Sequence, residues 1–301
     1  DLCGLDDAQV LYPGTGTVGA GTVGSAPPVF RASGDEPLEQ PLVRCRGCGL
    51  AYVNPRFPVG RVVDAYTAGE DPRFVAQSAS RARTFARALR FLSRWGDGRR
   101  VLDVGSACGS FVASARDAGW TAEGIEPNHW LRAWAHERYG VRLHDGTLAP
   151  GRFVPGAYDW LTFWDVLEHV PSPRATLEEA SRLLRSGGHV AINFPDFGSL
   201  PARLMGRRWV FVLQVHLYYF TRRTLGALLA RTGFRPVVWR RHWQTLPAGY
   251  VLERARQALG RVGRFLPPVE RIRILRSFPL RYWVGQSLVV AQRLPASSEE
   301  P

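Results

Sequence analysis

The stretch Arg99-Arg100-Val101-Leu102-Asp103-Val104-Gly105-Ser106-Ala107-Cys108-Gly109-Ser110-Phe111 decides the fold of this chain. Its apolar run predicts a strand, its glycine-bearing segment predicts a tight turn, and a helix is expected to begin near Gly109. Glycine has no Cβ and tolerates positive φ, so the backbone of such a turn can approach a ligand closely. The amide hydrogens of the turn and of the first helical residues then point at whatever lies above the carboxyl end of the strand.

A second acidic residue follows Asp103 at the sequence spacing expected for the next strand of a βαβ unit. The apolar run Trp120–Ile125 ends in Glu126, twenty-three residues after Asp103. In a βαβ unit, an acid that ends the second strand binds the two hydroxyls of a ribose. The turn lacks the full G-x-G-x-x-G pattern, so by itself it is also compatible with an ordinary strand-to-helix connection.

The next segments continue the alternation of strands and helices, which indicates a parallel sheet. Residues 158–170 predict a strand followed by a turn with the sequence D-V-L-E-H-V, and residues 182–192 predict a helix end, a glycine C-cap and a further strand. In this order the segments resemble the class I S-adenosylmethionine-dependent methyltransferases. They are most similar to the bacterial group that acts on small molecules, whose members often begin with a cysteine-bearing module. The resemblance runs from the Cys45 region to about Phe234.

The resemblance implies a Rossmann-like α/β fold with a seven-stranded methyltransferase sheet of order 3-2-1-4-5-7-6. It also implies a small N-terminal cysteine-bearing module and a helical insertion before the last strand. We expect a zinc-ribbon-like module at 1–58, a helical lid or linker at 59–96, a methyltransferase domain at 97–294 with an insertion at 243–282, and a disordered tail at 295–301. The insertion alternates apolar and arginine positions, which is compatible with a membrane surface, a lipid-linked substrate or packing on the protein itself.

The residues that cap helices and interrupt apolar runs predict where the helices and strands end. We expect Thr221 to be the N-cap and Gly233 the C-cap of a helix that precedes the sixth strand. The seven strands are expected to end near the following residues: Val104, Ile125, Leu143, Trp164, Asn193, Arg241 and Gln292.

Length and composition are those of a globular protein with a sizeable core. The chain has 301 residues, of which 45% are hydrophobic and 22% charged. It contains no apolar run long enough to span a bilayer and no recognisable signal peptide, so a cytoplasmic location is expected. All 39 basic residues are arginine, and the formal net charge is +13. This bias favours a solvated arginine-rich surface, with contact to RNA or anionic lipid left open.

Three cysteines predict a structural zinc site. Cys45 and Cys48 form a C-x-x-C-G knuckle, in which two thiolates can bind one tetrahedral zinc ion. Cys3 would be the third ligand, and the cysteine that would pair with it at this spacing falls before Asp1. The alternative is a degenerate ribbon with free thiols.

The resemblance assigns the S-adenosylmethionine site residue by residue. Asp103 would orient the turn and the methionine amino group, and Glu126 would accept the ribose hydroxyls. Ala107 stands where many relatives have glycine. The full set of expected cofactor-binding residues is Asp103, Gly105, Ser106, Gly109, Glu126, Pro127, Thr147, Leu148, Trp164 and Asp165.

Two histidines are candidates for the general base that deprotonates an acceptor. His169 follows Glu168 in the D-V-L-E-H segment, and His216 precedes an aromatic-Thr stretch. Histidine suits this role near neutral pH. Asp165, Glu168 and His169 would share one face of a helical turn, which resembles the E-x-x-E-H set of ubiquinone-biosynthesis and small-RNA methyltransferases. A divalent cation at this set is the alternative to metal-free catalysis.

The sequence therefore predicts methyl transfer to a small molecule, with a hydroxyl of a sugar, polyketide or quinol-like metabolite of secondary metabolism as the acceptor. The first alternative is a 2′-O-methyltransferase acting on RNA, assisted by a metal. The second is a scaffold that binds the cofactor without catalysis. The sequence carries no signal for an oligomeric state.

Overall fold

The computed structural model describes residues 2–15, 31, 36–259 and 277–295. Its strands in chain order are β1 (Ala8–Tyr12), β2 (Leu42–Cys45), β3 (Ala51–Val53), β4 (Arg100–Val104), β5 (Thr121–Glu126), β6 (His144–Asp145), β7 (Tyr158–Trp164), β8 (Leu184–Pro195), β9 (Tyr218–Tyr219), β10 (Phe234–Arg241), β11 (Gln244–Pro247), β12 (Pro279–Tyr282) and β13 (Gln286–Arg293). The α-helices are α1 (Val59–Thr67), α2 (Pro72–Val75), α3 (Ser78–Leu92), α4 (Ser110–Asp117), α5 (His129–Tyr139), α6 (Pro173–Leu183), α7 (Leu200–Met205), α8 (Arg222–Arg231) and α9 (Ala248–Leu259).

Seven strands form the main sheet in the order β10-β13-β8-β7-β4-β5-β6. Strands β4 to β8 pair in parallel, whereas β13 runs antiparallel to both β8 and β10. Numbered along the domain, this is the order 3-2-1-4-5-7-6. The predicted fold class is therefore confirmed, and the carboxyl ends of β4, β5 and β7 meet at one edge.

Helices cover both faces of the sheet. On one face α6 and α8 contribute Leu177, Leu183 and Leu225 to a core that includes Phe163 and Ile192. On the other face α3 and α4 pack against Trp160 and Val290, with residues such as Leu92, Phe111 and Val112. Because both faces are covered, consecutive residues of the central strands β4, β7 and β8 are buried rather than alternately buried and exposed.

Two local predictions differ from the structure. The third strand is His144–Asp145 rather than the segment ending at Leu143, since Val141 is buried under the start of α4 before the chain reaches the sheet. The predicted glycine C-cap of α6 is also wrong, because the helix ends with Leu184 as C-cap and Gly187 and Gly188 lie within β8. A Cβ on Gly188 would lie 3.0 Å from the Arg185 carbonyl oxygen, so close backbone approach explains the glycine.

The caps of α8 lie close to the predicted positions. Thr221 is the N-cap, and its hydroxyl accepts a hydrogen bond from the Thr224 amide at 3.1 Å. The C-cap is Thr232, and Gly233 follows it with φ +83°. The helix is therefore fixed at both ends by short-range contacts.

The N-terminal strands form a second sheet of order β1-β2-β3-β9. Its fourth strand, β9, comes from a distant part of the sequence and pairs with β3, with Ala51 opposite Tyr219 and Tyr52 opposite Tyr218. Leu2 and Leu50 join the same apolar core as α6 and α8. The boundary drawn at residue 58 remains a prediction, but the cysteine-bearing module shares a sheet with later residues.

The described part of the insertion contains β11, α9 and β12, with β11 and β12 antiparallel. The arginine alternation predicted within 262–276 and the predicted tail from 296 onward lie outside the described residues. Among the helices that the structure describes, none has the length and apolarity that crossing a membrane requires.

Candidate active site

A cleft lies above the carboxyl ends of β4 and β7 and encloses about 540 Å³, including space open to solvent. The turn after β4 forms its floor, α3 forms one side, and residues 242–246 form the other. The residues with polar side chains or glycine backbone in this lining are Arg81, Thr84, Asp103, Gly105, Ser106, Ser110, Asp165, Asn193, His242, Gln244 and Thr245.

The turn after β4 is held against β5 by its own backbone. The amides of Gly105 and Ser106 both donate to the Ile125 carbonyl, at 2.9 and 3.1 Å. Gly105 has φ +68°, and a Cβ there would lie 2.7 Å from Val166 Cγ2. Ala107 adopts φ +46°, in the region that favours glycine, at the position where the resemblance expects glycine.

Asp103 is buried at the floor of the cleft. Its Oδ1 accepts a hydrogen bond of 2.6 Å from the Thr162 hydroxyl. Burial raises the pKa of Asp103 to about 7, although the hydrogen bonds from Thr162 and Ser106 act in the opposite direction. The predicted cofactor residue thus faces the cleft with a carboxyl group that titrates near neutrality.

Glu126 ends β5 beside the turn, with only 1% of its surface exposed. Its two carboxylate oxygens accept hydrogen bonds from the amides of Ala107 and Asn128, each at 2.8 Å. Burial raises the pKa of Glu126 to about 7, while hydrogen bonds from these amides and from the Tyr66 side chain lower it. Tyr66 belongs to α1, so α1 contacts the carboxylate of Glu126, which is not among the residues that line the cleft.

Asn128 fastens α1 in this position. Its Nδ2 donates to the carbonyls of Tyr66 at 2.6 Å and Gly69 at 2.7 Å. Its Oδ1 accepts from the Leu131 amide at 2.9 Å and so caps α5. The Asn128 side chain therefore both caps the N-terminus of α5 and binds the segment that contains Tyr66, which contacts Glu126.

Four further predicted cofactor residues lie outside the lining of the cleft. Gly109 is the N-cap of α4, with φ +69°. The Pro127 carbonyl accepts a hydrogen bond from Arg132 at 2.8 Å. Thr147 is exposed, and Leu148 is half-buried against the core near α6. The structure therefore places the open cleft over the part of the predicted site that would receive the methionine portion.

Asp165 faces the cleft in the left-handed region, with φ +55°. Its Oδ1 accepts from the side-chain amides of Asn193 and Gln286, both at 2.7 Å, and its Oδ2 accepts from Gln244 at 3.2 Å. Burial raises the pKa of Asp165 to about 6, and the positive charge of Arg81 opposes that shift. Trp164 precedes it and packs on Phe85 and Phe111 at the wall of the cleft.

The predicted helical face of Asp165, Glu168 and His169 does not form, because residues 165–170 make a turn rather than a helix. Glu168 and His169 instead meet His216 from the segment before β9. Ligand-type atoms of these three residues all lie within 4.8 Å of one another. Asp165 is engaged by its three amide donors and is not part of this cluster.

In the cluster of Glu168, His169 and His216, the histidines are hydrogen-bonded to backbone carbonyls and the carboxylate has no partner among the described residues. Both carboxylate oxygens of Glu168 are buried and have no hydrogen-bond partner among the described residues. The Nδ1 atoms of His169 and His216 lie 2.8 Å from the carbonyls of Val215 and Phe211. A carbonyl can only accept, so each Nδ1 donates and each neutral ring keeps a lone pair on Nε2. Burial raises the pKa of Glu168 and lowers that of His169 to about 4.

The three predicted zinc ligands lie together in the N-terminal module. The Sγ atoms of Cys3 and Cys45 are 3.5 Å apart, and those of Cys3, Cys45 and Cys48 all lie within 4.8 Å of one another. Hydrogen bonding from the Cys48 backbone lowers the pKa of Cys45 to about 7, whereas burial raises that of Cys48 to about 11. Three convergent thiols fit zinc, and the zinc site remains a prediction.

Sequence reasoning missed several groups at the cleft, among them Arg81, His242 and Gln244. The Arg81 guanidinium lies 4.2 Å from the centre of the Phe74 ring, and its buried Nε has no hydrogen-bond partner in the described part of the chain. Burial first, and then Arg240 and Arg87, lower the pKa of His242 to about 3. These residues lie in α3 and after β10, far in sequence from the turn, and no local motif marks them.

Comparison with known proteins gives the family. A family model described as a methyltransferase domain matches residues 77–238, which is more than half of the chain. Ubiquinone biosynthesis O-methyltransferases are similar over a shorter stretch. The protein from Pectobacterium carotovorum is 34% identical over 100 residues, covering 31% of this chain and 41% of that protein. The protein from Sodalis glossinidius is 37% identical over 100 residues, covering 31% and 40%. The chain thus spans about two fifths of these curated relatives.

A solved structure supports the fold. A SAM-dependent methyltransferase from Archaeoglobus fulgidus is 17% identical, with a TM-score of 0.51, over 74% of this chain and 100% of that one. At this identity the likeness concerns the fold alone. Since the family model covers more than half of its length and the sheet has the class I order, the chain belongs to the methyltransferase-domain family of class I S-adenosylmethionine-dependent enzymes.

Proposed function

We propose that this chain transfers a methyl group from S-adenosylmethionine to an oxygen of a small-molecule acceptor. When bound, the cofactor supplies a methyl carbon activated by a positively charged sulfur, and the protein supplies position and charge. The similarity to ubiquinone biosynthesis O-methyltransferases over 100 residues supports oxygen as the acceptor atom.

The charges of the cleft carry this proposal. An amino-acid moiety offers one ammonium and one carboxylate group, and the cleft has a matching group for each. The carboxyl groups of Asp103 and Asp165 suit the ammonium, and the partnerless Nε of Arg81 suits the carboxylate. A buried guanidinium nitrogen without a partner is costly, and a bound carboxylate would remove that cost.

Glu126 would hold the ribose once α1 releases it. Its carboxylate already accepts one backbone amide on each oxygen and keeps lone pairs free for two hydroxyl donors. Because Tyr66 contacts the same carboxylate, the nucleoside half needs α1 to shift before it can bind. We therefore assign residues 59–71 the role of a lid.

Calorimetric titration with S-adenosylhomocysteine tests the proposal. We expect binding to the wild type and a loss of about ten-fold or more in affinity for Arg81→Gln, since a charge-assisted hydrogen bond is removed. Arg83→Gln, an exposed arginine on the same helix, is the matched control and should bind normally. Absence of binding to the folded wild type would contradict the proposal.

Glu168 favours a metal-assisted form of this function as the second candidate. A buried carboxylate without donors is stable only when it is protonated or bound to a cation. The Nε2 atoms of His169 and His216 complete a set that a divalent ion accepts, and their Nδ1 bonds to carbonyls fix the required tautomer. In this form the ion would lower the pKa of an acceptor hydroxyl, and without it the two neutral imidazoles serve as the predicted bases.

Thermal melting with added Mn²⁺ or Mg²⁺ separates the two forms. A metal site predicts a concentration-dependent rise in the melting temperature of the wild type that is absent in Glu168→Gln. Glu178→Gln, an exposed acid on α6, should respond as the wild type does. An equal rise in all three proteins would exclude a site at Glu168.

A further inference from the structure

A second, smaller pocket adjoins the cleft and encloses about 310 Å³, including space open to solvent. Three arginines line it: Arg87 from α3, Arg240 from β10 and Arg281 from β12. Thr84 and His242 line both this pocket and the cleft, so the two spaces share a wall. We call it the arginine pocket, defined by Arg87, Arg240 and Arg281.

No carboxylate among the described residues forms an ion pair with these three arginines. Arg87 is partly buried and Arg240 and Arg281 are more exposed, whereas the partly buried Arg132 pairs with Asp145 at 2.7 Å. In the arginine pocket the neighbouring charges are other guanidinium groups: burial and the charge of Arg281 lower the pKa values of both Arg87 and Arg240. Like charges at close range repel, and an anion bound between them would offset that repulsion.

Neighbouring groups hold the guanidinium groups in place. The Arg240 guanidinium lies 4.3 Å from the centre of the Phe91 ring, and that of Arg281 lies 5.1 Å from the Trp243 ring. Arg87 donates a hydrogen bond to the Thr245 hydroxyl, a residue of the cleft. Stacking on aromatic faces restricts arginine rotamers, so the donors are organised before a ligand arrives.

We infer that the arginine pocket binds a phosphate or diphosphate group of the acceptor, whose methyl-accepting atom enters the cleft beside Thr84 and His242. The inference rests on the proposed function and specifies its substrate class. Planar guanidinium groups bind phosphate oxygens in pairs, and three of them around one small pocket suit a compact, multiply charged group. An extended RNA site would need a basic track with free aromatic faces, whereas here guanidinium groups of the protein already lie over Phe91 and Trp243.

Calorimetric titration of the full chain with pyrophosphate tests the inference. The wild type should bind, and the double variant Arg240→Gln/Arg281→Gln should bind about a hundred-fold more weakly. Arg235→Gln removes an exposed arginine from the same strand, β10, and should bind as the wild type does. The Arg240→Lys/Arg281→Lys variant keeps the charge and should retain part of the affinity. S-adenosylhomocysteine should bind equally to all of these proteins, which also shows that they are folded.

Three results would overturn the inference. The first is a wild type that binds S-adenosylhomocysteine but gives no signal with pyrophosphate. The second is equal pyrophosphate binding by the wild type and the Gln double variant. The third is single-stranded RNA binding that strengthens as the oligonucleotide grows from about 4 to about 16 nucleotides and depends on both arginines, which would make the pocket part of a nucleic-acid surface. Failure of the wild type to bind S-adenosylhomocysteine would instead count against the proposed function.

Discussion

Glu126 and Asp103 are buried acids whose pKa values are raised to about 7 by burial. Such an acid binds a proton more tightly in the folded chain than in the unfolded chain. Its protonation therefore adds to the free energy of unfolding, in full below the unfolded-state pKa. This addition is lost as pH rises through the folded-state pKa. The two residues therefore make the ligand-free protein more stable in mild acid than its exposed carboxylates alone would.

Substitution of Glu126 makes this testable. Relative to Glu126→Gln, we expect the wild type to lose on the order of 3 kcal/mol in free energy of unfolding between about pH 5 and about pH 8. Urea unfolding at a series of pH values measures the difference. Glu137→Gln, an exposed acid on α5, should show no such trend. A pH-independent difference for Glu126→Gln would contradict the shifted pKa.

Ala107 gives a prediction about backbone strain. Its φ of +46° is costly for a residue with a Cβ and most costly for a β-branched one. We expect Ala107→Val to lower the free energy of unfolding by about 2 kcal/mol, with Ala107→Gly tolerated. Chemical denaturation measures both, and Ala118→Val, at an exposed turn position with φ −86°, is the matched control without a positive φ. Equal stability of the Val and Gly variants would show that the turn relaxes.

For individual residues, the sequence predicts those site residues that lie at the ends of neighbouring strands. The spacing of Asp103 and Glu126 around one glycine turn locates the acids, because both end neighbouring parallel strands. Arg81, Tyr66 and His242 escape prediction because each reaches the site through tertiary packing of an element far away in the chain. Asp165 follows the end of β7, where the sequence predicts it, but its carboxylate is not part of the Glu168–His169–His216 cluster. After burial, its charge is the next cause of the raised pKa of Glu168.

Among the elements, α1 has the most direct relation to the site. It carries Tyr66 onto Glu126 and is fastened there by two hydrogen bonds from Asn128. Asn128→Asp keeps an oxygen to cap α5 but replaces the Nδ2 donor with a second acceptor, which repels the two carbonyls.

Hydrogen–deuterium exchange can separate these two effects. In Asn128→Asp we expect faster exchange in residues 59–70 and unchanged protection in α5, together with tighter binding of S-adenosylhomocysteine because the lid opens more easily. Asn128→Ala removes the cap as well and should loosen both segments. Unchanged exchange in 59–70 of the Asp variant would show that other contacts hold the lid.

The sheet was predictable at this scale because long apolar strands alternate with capped helices, and its order follows from the family resemblance. The short strands follow less directly from the sequence, since the third strand is displaced from its expected position and β9 is not predicted. β6 and β9 have two residues each and exist only because a neighbouring strand offers free backbone groups. The helical lid or linker expected at 59–96 consists of three separate helices, α1, α2 and α3.

Across the whole molecule, the N-terminal module and the main sheet share structure. β9 completes the small sheet, and Leu2 and Leu50 join the main core. We therefore expect one cooperative unfolding transition rather than two. Tryptophan fluorescence and the reactivity of the cysteine thiols, followed along the same urea gradient, should give one midpoint. Thiol exposure at clearly lower urea would show that the module unfolds independently.

Ala51 of β3 pairs with Tyr219 of β9, so a single strand pairing joins the segment that follows the cysteine cluster to the segment that follows His216. A substitution that displaces either strand is therefore expected to disturb the other as well.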